Sequence, residues 1–264
     1  MANAMGIALV TGASSGIGFE LAKLFADDGY DLVIAAEDDA IHACADKLAT
    51  AQIDVIPVQV DLRKADDVER LYRTATADGR RLAAAALNAG VGRAGPFVKG
   101  DLDTDLSIID LNVRSTVHLA KRVLSDMTKS GTGKVLFTSS IASTMPGSLQ
   151  TVYNASKSFI QSFAEALQDE LRDTGVTVTS LMPGPTETNF FRRANMLDTL
   201  VGRMPKDDSA KVAKQGYDAL MKGDRKVVAE SALSKSMGVA NTVLPDSVKA
   251  VASRIISTRI GHNK

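Results

Sequence analysis

Tyr153 and Lys157 stand four residues apart in VYNASKSF (152–159). Four residues make about one helical turn, so the two side chains share a face. A phenol beside an ammonium group is equipped for proton transfer, because the cation favours the phenolate. The same spacing also occurs in ordinary amphipathic helices, with the aromatic half buried and the lysine solvated. Taken alone, the pair decides nothing.

A second cluster is more specific. TGASSGIG (11–18) directly follows the apolar run IALVT (7–11) and opens a helical pattern. In such a strand–turn–helix, Gly12 permits the tight turn, Gly16 admits a pyrophosphate close to the backbone, and Gly18 lets helix and strand pack closely. Ser14, Ser15 and Ile17 lie in the turn, where a helix N-terminus offers amide donors and the positive end of its dipole. This context predicts dinucleotide binding. No Lys-Ser/Thr pair follows, which disfavours a nucleotide-hydrolysing P-loop.

The elements that must hold these residues alternate. DLVIA (31–35), DVIPVQV (54–60), KVLFTS (134–139) and VTVTSLM (176–182) read, with IALVT, as strands. Between them apolar residues recur at helical spacing, as in Phe19, Ala22, Leu24 and Phe25, or Val68, Leu71 and Tyr72. The pattern predicts a doubly wound α/β Rossmann fold, with a parallel sheet of about seven strands flanked by helices on both faces. LAAAALNAG (82–90) favours helix on alanine propensity, yet the alternation needs a strand at 82–88. With no repeat or low-complexity linker, residues 1–264 are expected to form a single domain. The alternation fades after about residue 185, where a substrate lid (about 186–210) and a helical tail (about 231–264) are expected.

Composition narrows the function. The 264 residues are 45% hydrophobic, and 31 Lys and Arg balance 31 Asp and Glu. A nucleic-acid binder would carry a basic excess or stripe. The single cysteine, Cys44, excludes an intramolecular disulfide framework and fits a reducing compartment; in a helical pattern it reads as a buried, inert thiol. No apolar run is long enough to span a membrane, and MANAMGIALVTG lacks a signal-peptide pattern, so a cytoplasmic protein is expected. His42, His118 and His262 have no ligand spacing, and no metal site is read. The tail sets Lys235, Lys249, Arg254, Arg259 and Lys264 against Asp246. Its Val248, Val251, Ala252, Ile255 and Ile256 follow helical spacing behind LPDS, which reads as a packing helix rather than a membrane-surface one.

With G-x-x-x-G-x-G spacing, the chain resembles the compact branch of the short-chain dehydrogenase/reductase family, over residues 6 to about 190. LNAG (87–90) matches the family's N-N-A-G with Leu87 in place of the first asparagine. Asp61 and Leu62 match the pair after the third strand, whose acidic residue meets the adenine amino group. PGPTET (183–188) matches the turn bordering the nicotinamide and pyrophosphate. Asn112 in DLNVRS matches the active-site asparagine, and Ser140 precedes Tyr153 by the family's thirteen residues. The resemblance implies catalysis by Asn112, Ser140, Tyr153 and Lys157. It implies a nicotinamide cofactor held by Gly12, Ser14, Ser15, Gly16, Ile17, Gly18, Glu37, Asp61, Leu62, Asn88, Ala89, Gly90, Tyr153, Lys157, Pro183, Gly184, Thr186 and Thr188.

In the roles so implied, Tyr153 is the general acid in carbonyl reduction and the base in alcohol oxidation. Ser140 binds the substrate oxygen, Lys157 holds the nicotinamide ribose, and Asn112 anchors a water on a proton path. A free tyrosine titrates near ~10; Lys157 and the oxidised nicotinamide are expected to lower this by about 3 units, roughly 4 kcal/mol of differential stabilisation. Ser139 is the alternative serine. Glu37, nineteen residues after Gly18 and followed by Asp38 and Asp39, suits a ribose 2′-hydroxyl and repels a 2′-phosphate. With no obvious arginine clamp, NAD is expected and NADP is the alternative; Arg63 or Lys23 are the cations that could serve a phosphate.

The implied activity is oxidoreduction of an apolar ketone or secondary alcohol. A non-catalytic dinucleotide sensor is the alternative, disfavoured by the intact set of four. The expected pocket is lined by Phe190, Phe191, Met196, Leu197, Leu200, Val201 and Met204, with Met145 and Leu149. The resemblance also implies a homo-oligomer, a dimer first, through the helices following Asn112 and Tyr153, with Phe159 or Phe163 on the contact face.

Overall fold

The computed structural model describes residues 5–229 and 245–259. Seven strands form one sheet, all neighbouring pairs parallel: β1 (Ile7–Thr11), β2 (Asp31–Ala36), β3 (Val55–Gln59), β4 (Leu82–Leu87), β5 (Gly133–Thr138), β6 (Val176–Pro183) and β7 (Lys226–Ala229). Their order is β3-β2-β1-β4-β5-β6-β7. The chain winds outward from β1 in one direction and then from β4 in the other. That reversal opens a crevice at the carboxyl ends of β1 and β4, where such sheets bind ligands.

Both faces of the sheet are covered, which is why its strands are continuous apolar runs. On one face lie α1 (Gly16–Asp27), α2 (Ala40–Leu48) and, nearer the C-terminus, α9 (Ser209–Lys222). They contribute Leu21, Phe25, Ile41, Cys44, Val212 and Leu220 to a common core. On the other face lie α3 (Ala65–Ala75), α5 (Ser115–Ser130) and α6 (Thr151–Glu170), through Val68, Leu71, Leu119, Val123, Ile160 and Ala164. β4 is a strand despite its alanines, because β1 and β5 pair with it on both edges. Ala84, Ala85 and Ala86 are fully buried, and their small side chains let both helical layers approach. β7 escapes sequence reading: it has four residues, begins at an exposed Lys226 and, among the described residues, pairs with β6 alone.

Before α5 the chain forms α4 (Leu102–Ile109), then a π-helical turn at Asp110–Arg114 that carries Asn112. Such single wide turns interrupt the regular ladder and cluster at functional sites. Beyond β6 come two one-turn helices, α7 (Phe190–Arg193) and α8 (Leu200–Arg203), and after α9 and β7 the final helix α10 (Asp246–Ser257).

The 186–210 segment thus has structure of its own, with a departure from the expected apolar face. Phe191, Met196 and Val201 form a small core with Ala94, whereas Leu197 and Leu200 are 54% and 40% exposed. α10 packs on that core through Ile256 and buries Ser253 and Ser257, leaving Val248, Val251 and Ile255 outside. Lys235, His262 and Lys264 lie outside the described residues. Among those described, no helix is long and apolar enough to cross a membrane.

Candidate active site

A cavity lies over the carboxyl ends of the central strands, lined from Glu37 and Asp38 at one end to Tyr153, Met145 and Ile256 at the other. Its floor is the glycine-rich turn. Gly12 has φ +68°, and Gly16 has φ +57°, both in the left-handed region that favours glycine. A Cβ on Gly18 would sit 2.2 Å from the Gly12 carbonyl oxygen, so helix α1 can start here only on glycine. Gly16 backs onto Thr188, whose methyl would lie 2.6 Å from an added Cβ, which brings the turn and the segment after β6 into contact. Gly12, Ser14, Ser15 and Ile17 line the cavity, and Gly16 and Gly18 shape the turn from behind.

The LNAG segment fastens three strands at this end. Thr11 Oγ1 accepts from the amides of Asn88 (2.9 Å) and Ala89 (3.0 Å). Asn88 Nδ2 donates to the Thr11 carbonyl at 3.1 Å, and Thr138 Oγ1 donates to Asn88 Oδ1 at 3.0 Å. Asn88 therefore joins β1, β4 and β5, leaving Ala89 and Gly90 on the cavity wall. Leu87 is buried in the core, where the family's asparagine would need polar partners. Asn112 works from behind the wall. Its Oδ1 accepts from Val91 N and its Nδ2 donates to Val91 O, both at 2.9 Å, and also to Ser156 Oγ at 2.9 Å.

Ser140 caps the short helical turn Ile141–Thr144, its Oγ accepting from Ala142 N at 3.1 Å. Ser139 is 2% exposed and donates to the Lys157 carbonyl at 3.2 Å, tying β5 to α6. Lys157 is buried, with Nζ donating to the Thr138 carbonyl at 2.8 Å. Tyr153 sits one turn earlier on the same face of α6 and lines the cavity. Gly90 lies between Lys157 and Asn112: an added Cβ would stand 3.2 Å from Lys157 Nζ and 3.3 Å from Asn112 Oδ1.

The titration of the pair differs from the expected lowering of the phenol. Burial pushes Tyr153 up to about 12, with a hydrogen bond to Ser140 pulling the other way. Burial pushes Lys157 down to about 8. Desolvation disfavours both charged forms, and it is the largest cause of each shift.

At the other end the expectation of no obvious arginine clamp is corrected. Arg63 bridges Glu37 and Asp61, at 2.6 Å to each carboxylate. Arg193, from α7, reaches Asp38 at 2.9 Å, and Ser14 Oγ donates to the same carboxylate oxygen at 3.0 Å. Among the described residues, Asp38 Oδ1 is buried without a partner. Leu62 lines this end of the cavity as an apolar side wall.

The segment after β6 borders the opposite end. Pro183, Gly184, Thr186 and Thr188 border the cavity, and Phe190 lies against Tyr153. Met145 lines the cavity as expected. Leu149 is a correction: with its backbone at φ +66°, it lines a small neighbouring pocket with Arg93 and Asp105 instead. Sequence reading missed Gln150, Asn154, Ser253 and Ile256, which also line the cavity. The tail helix carries no motif, so no local signal marks the last two. Cys44 is buried under the turn, its thiol pushed up by burial and donating to the Ser14 carbonyl at 3.3 Å. His118 pairs with Glu69 at 2.6 Å, away from the cavity.

Residues 6–197 match the family model for short chain dehydrogenases. A short chain dehydrogenase of Pseudocercospora fijiensis is 33% identical over 195 residues, 73% of this chain and 63% of the relative's length. A short-chain type dehydrogenase/reductase of Sinorhizobium fredii is 35% identical over 71% of this chain and 73% of its own. Among solved structures, a short-chain dehydrogenase from Sphingobium yanoikuyae, in complex with NADPH, superposes with a TM-score of 0.79 at 26% identity, covering 90% of this chain and 94% of that one. One from Burkholderia phymatum in complex with NAD has a TM-score of 0.78 at 22% identity, covering 90% and 93%. The glycine turn, the strand order and the match over most of the chain agree: this chain belongs to the short-chain dehydrogenase family and is an oxidoreductase of that type.

Proposed function

We propose that the protein interconverts an apolar ketone and a secondary alcohol, with Tyr153 as general acid and base and NAD(H) as the preferred cofactor. The observation that carries this is the meeting of Tyr153, Ser140 and Lys157 in one cavity with the glycine turn. The residues fit a dinucleotide: Gly12, at φ +68°, opens the turn on the cavity wall, and Asp38 Oδ1 is a buried acceptor without a donor among the described residues. When bound, a nicotinamide cofactor supplies or accepts the hydride.

In reduction, Tyr153 delivers its proton to the carbonyl oxygen, and Ser140 Oγ–H steadies the charge developing on that oxygen. A phenol held at about 12 is protonated at neutral pH, which suits the acid role directly. The base role requires Lys157 to be charged and close when the alcohol is oxidised. Lys157 also holds the cofactor ribose. Asn112 is a positioning residue that fixes Val91 and the edge of the cavity and anchors a water on the proton path. Ile141, Met145, Phe190, Phe191, Met196, Val201 and Ile256 make the substrate end mainly apolar. An alcohol dehydrogenase from Comamonas testosteroni specific for bulky-bulky ketones shares the fold (TM-score 0.75, 22% identity, covering 92% of this chain and 96% of that one). Glu37 and Asp38 at the adenosine end support NAD over NADP through repulsion of a 2′-phosphate.

Self-association is part of the reading. Leu102, Leu106 and Ile109 form an exposed apolar stripe along α4, with Phe159 of α6 41% exposed. The stripe precedes Asn112 rather than following it, and a second copy would remove it from water. A turnover screen of ketones and secondary alcohols with both cofactors tests the function. Preference for an apolar ketone with NADH supports it, and preference for small polar carbonyls overturns it.

A further inference from the structure

A single helical turn touches both ends of the cavity. α7 reads Phe190-Phe191-Arg192-Arg193. Its first residue lies against Tyr153, ring centroids 5.1 Å apart, and its last forms the ion pair with Asp38 at 2.9 Å. Phe191, between them, anchors the turn in the small core with Met196 and Val201. The glycine turn joins the same assembly, since Ser14 Oγ donates to the carboxylate oxygen that Arg193 holds. Asp38 follows β2 and is 155 residues from Arg193 in sequence. The pair therefore spans the groove from the cofactor half of the fold to the lid.

We propose that Arg193 and Asp38 form a latch that ties the substrate lid to the adenosine end of the groove, and that Arg193 is thereby a cofactor-specificity residue. The proposal rests on nicotinamide dinucleotide binding as stated above. An ion pair this exposed, 43% and 31% for the two side chains, contributes only about 2- to 5-fold to an equilibrium by itself. Its consequence comes from placement. Breaking it releases the turn that carries Phe190, so the change is felt beside Tyr153. A ribose 2′-hydroxyl leaves the latch intact, because it carries no charge with which to compete with Asp38 for the guanidinium. A 2′-phosphate competes with Asp38 for the Arg193 guanidinium, a planar donor suited to either anion. Arg63 does not serve the same purpose, being already shared between Glu37 and Asp61.

The test is a double-mutant cycle of Asp38→Ala and Arg193→Ala, read by titration of NADH and NADPH on the purified full chain and by chymotrypsin cleavage of the lid. In the presence of NADH, both single variants should be cut at Phe190–Leu200 faster than the parent and to a similar extent, since each breaks the same bond. Asp38→Ala should bind NADPH at least 10-fold more tightly than the parent, and Asp38→Ala/Arg193→Ala should lose at least 3-fold of that gain. Equal NADPH affinity of Asp38→Ala and the double variant, or lid cleavage unchanged in Arg193→Ala, would overturn the latch while leaving NADH binding in place. Failure of the parent to bind either dinucleotide would overturn the functional reading, and the latch with it.

Discussion

Phe190 lies against Tyr153, with ring centroids 5.1 Å apart and planes inclined at 47°. The contact is possible because Gly92 carries no side chain: an added Cβ would lie 2.7 Å from the Phe190 ring and 3.1 Å from that of Tyr153. The lid therefore rests on the proposed acid, and a glycine in the loop after β4 makes the space. Excluding water here strengthens every interaction around Tyr153.

Gly92→Val should push Phe190 off Tyr153 while leaving the glycine-rich turn untouched. The expected result is a rise in substrate KM and a fall in kcat, together at least 10-fold in kcat/KM, with NADH affinity within about 3-fold of the parent. Steady-state kinetics and a fluorescence titration check this. Unchanged kcat/KM would mean that the contact has no part in turnover.

Lys157 gives a pH signature in the unliganded protein. Burial holds it at about 8 against the usual 10.5. The unfolded chain thus keeps a proton between about pH 8 and 10.5 that the folded chain has released, so stability rises with pH through that window. Lys157→Met removes the increment. Below pH 8 the variant should be the more stable by on the order of 1–3 kcal/mol, and the difference should shrink towards pH 10.5. Denaturant melts at pH 7 and pH 10 measure it, and a difference independent of pH would contradict the burial account.

Gly18→Ala should disable the turn. The new methyl meets the Gly12 carbonyl at 2.2 Å and Asn88 Nδ2 at 2.6 Å, neither of which can retreat freely. A loss of about 1–3 kcal/mol in stability is expected from such overpacking, with NADH binding weakened at least 10-fold. Calorimetry and titration test the two effects separately.

The apolar stripe on α4 predicts the oligomeric state. The parent should sediment as a dimer at micromolar concentration, and Leu106→Glu should yield a folded monomer, since Leu106 is 46% exposed and its change costs the fold little. A monomeric parent would remove the interface.

Much of the fold was legible because its signals are local. Short apolar runs mark five of the strands, and the glycine spacing marks the turn between β1 and α1. LAAAAL required the alternation of its neighbours to outvote alanine propensity, and the buried pairing of β4 on both edges explains why they prevail. β7 was silent because four residues at an edge carry no period. In the site, Tyr153, Lys157 and Ser140 are marked by their resemblance to the family's motifs, whereas Arg193 on Asp38 depends on two segments that meet only after folding. In the protein alone Tyr153 is raised by burial, and proximity of Lys157 is written in the sequence whereas the depth of burial is not.

The most direct test of Tyr153 as proton donor is a single-turnover measurement on Tyr153→Phe with NADH bound and an apolar ketone. The substitution removes one hydroxyl from a position already packed against Phe190, so the fold and the cofactor affinity should persist. The expected result is NADH binding within about 3-fold of the parent and hydride transfer slowed at least 100-fold. NADH oxidation by Tyr153→Phe at a rate close to the parent's would contradict the assignment.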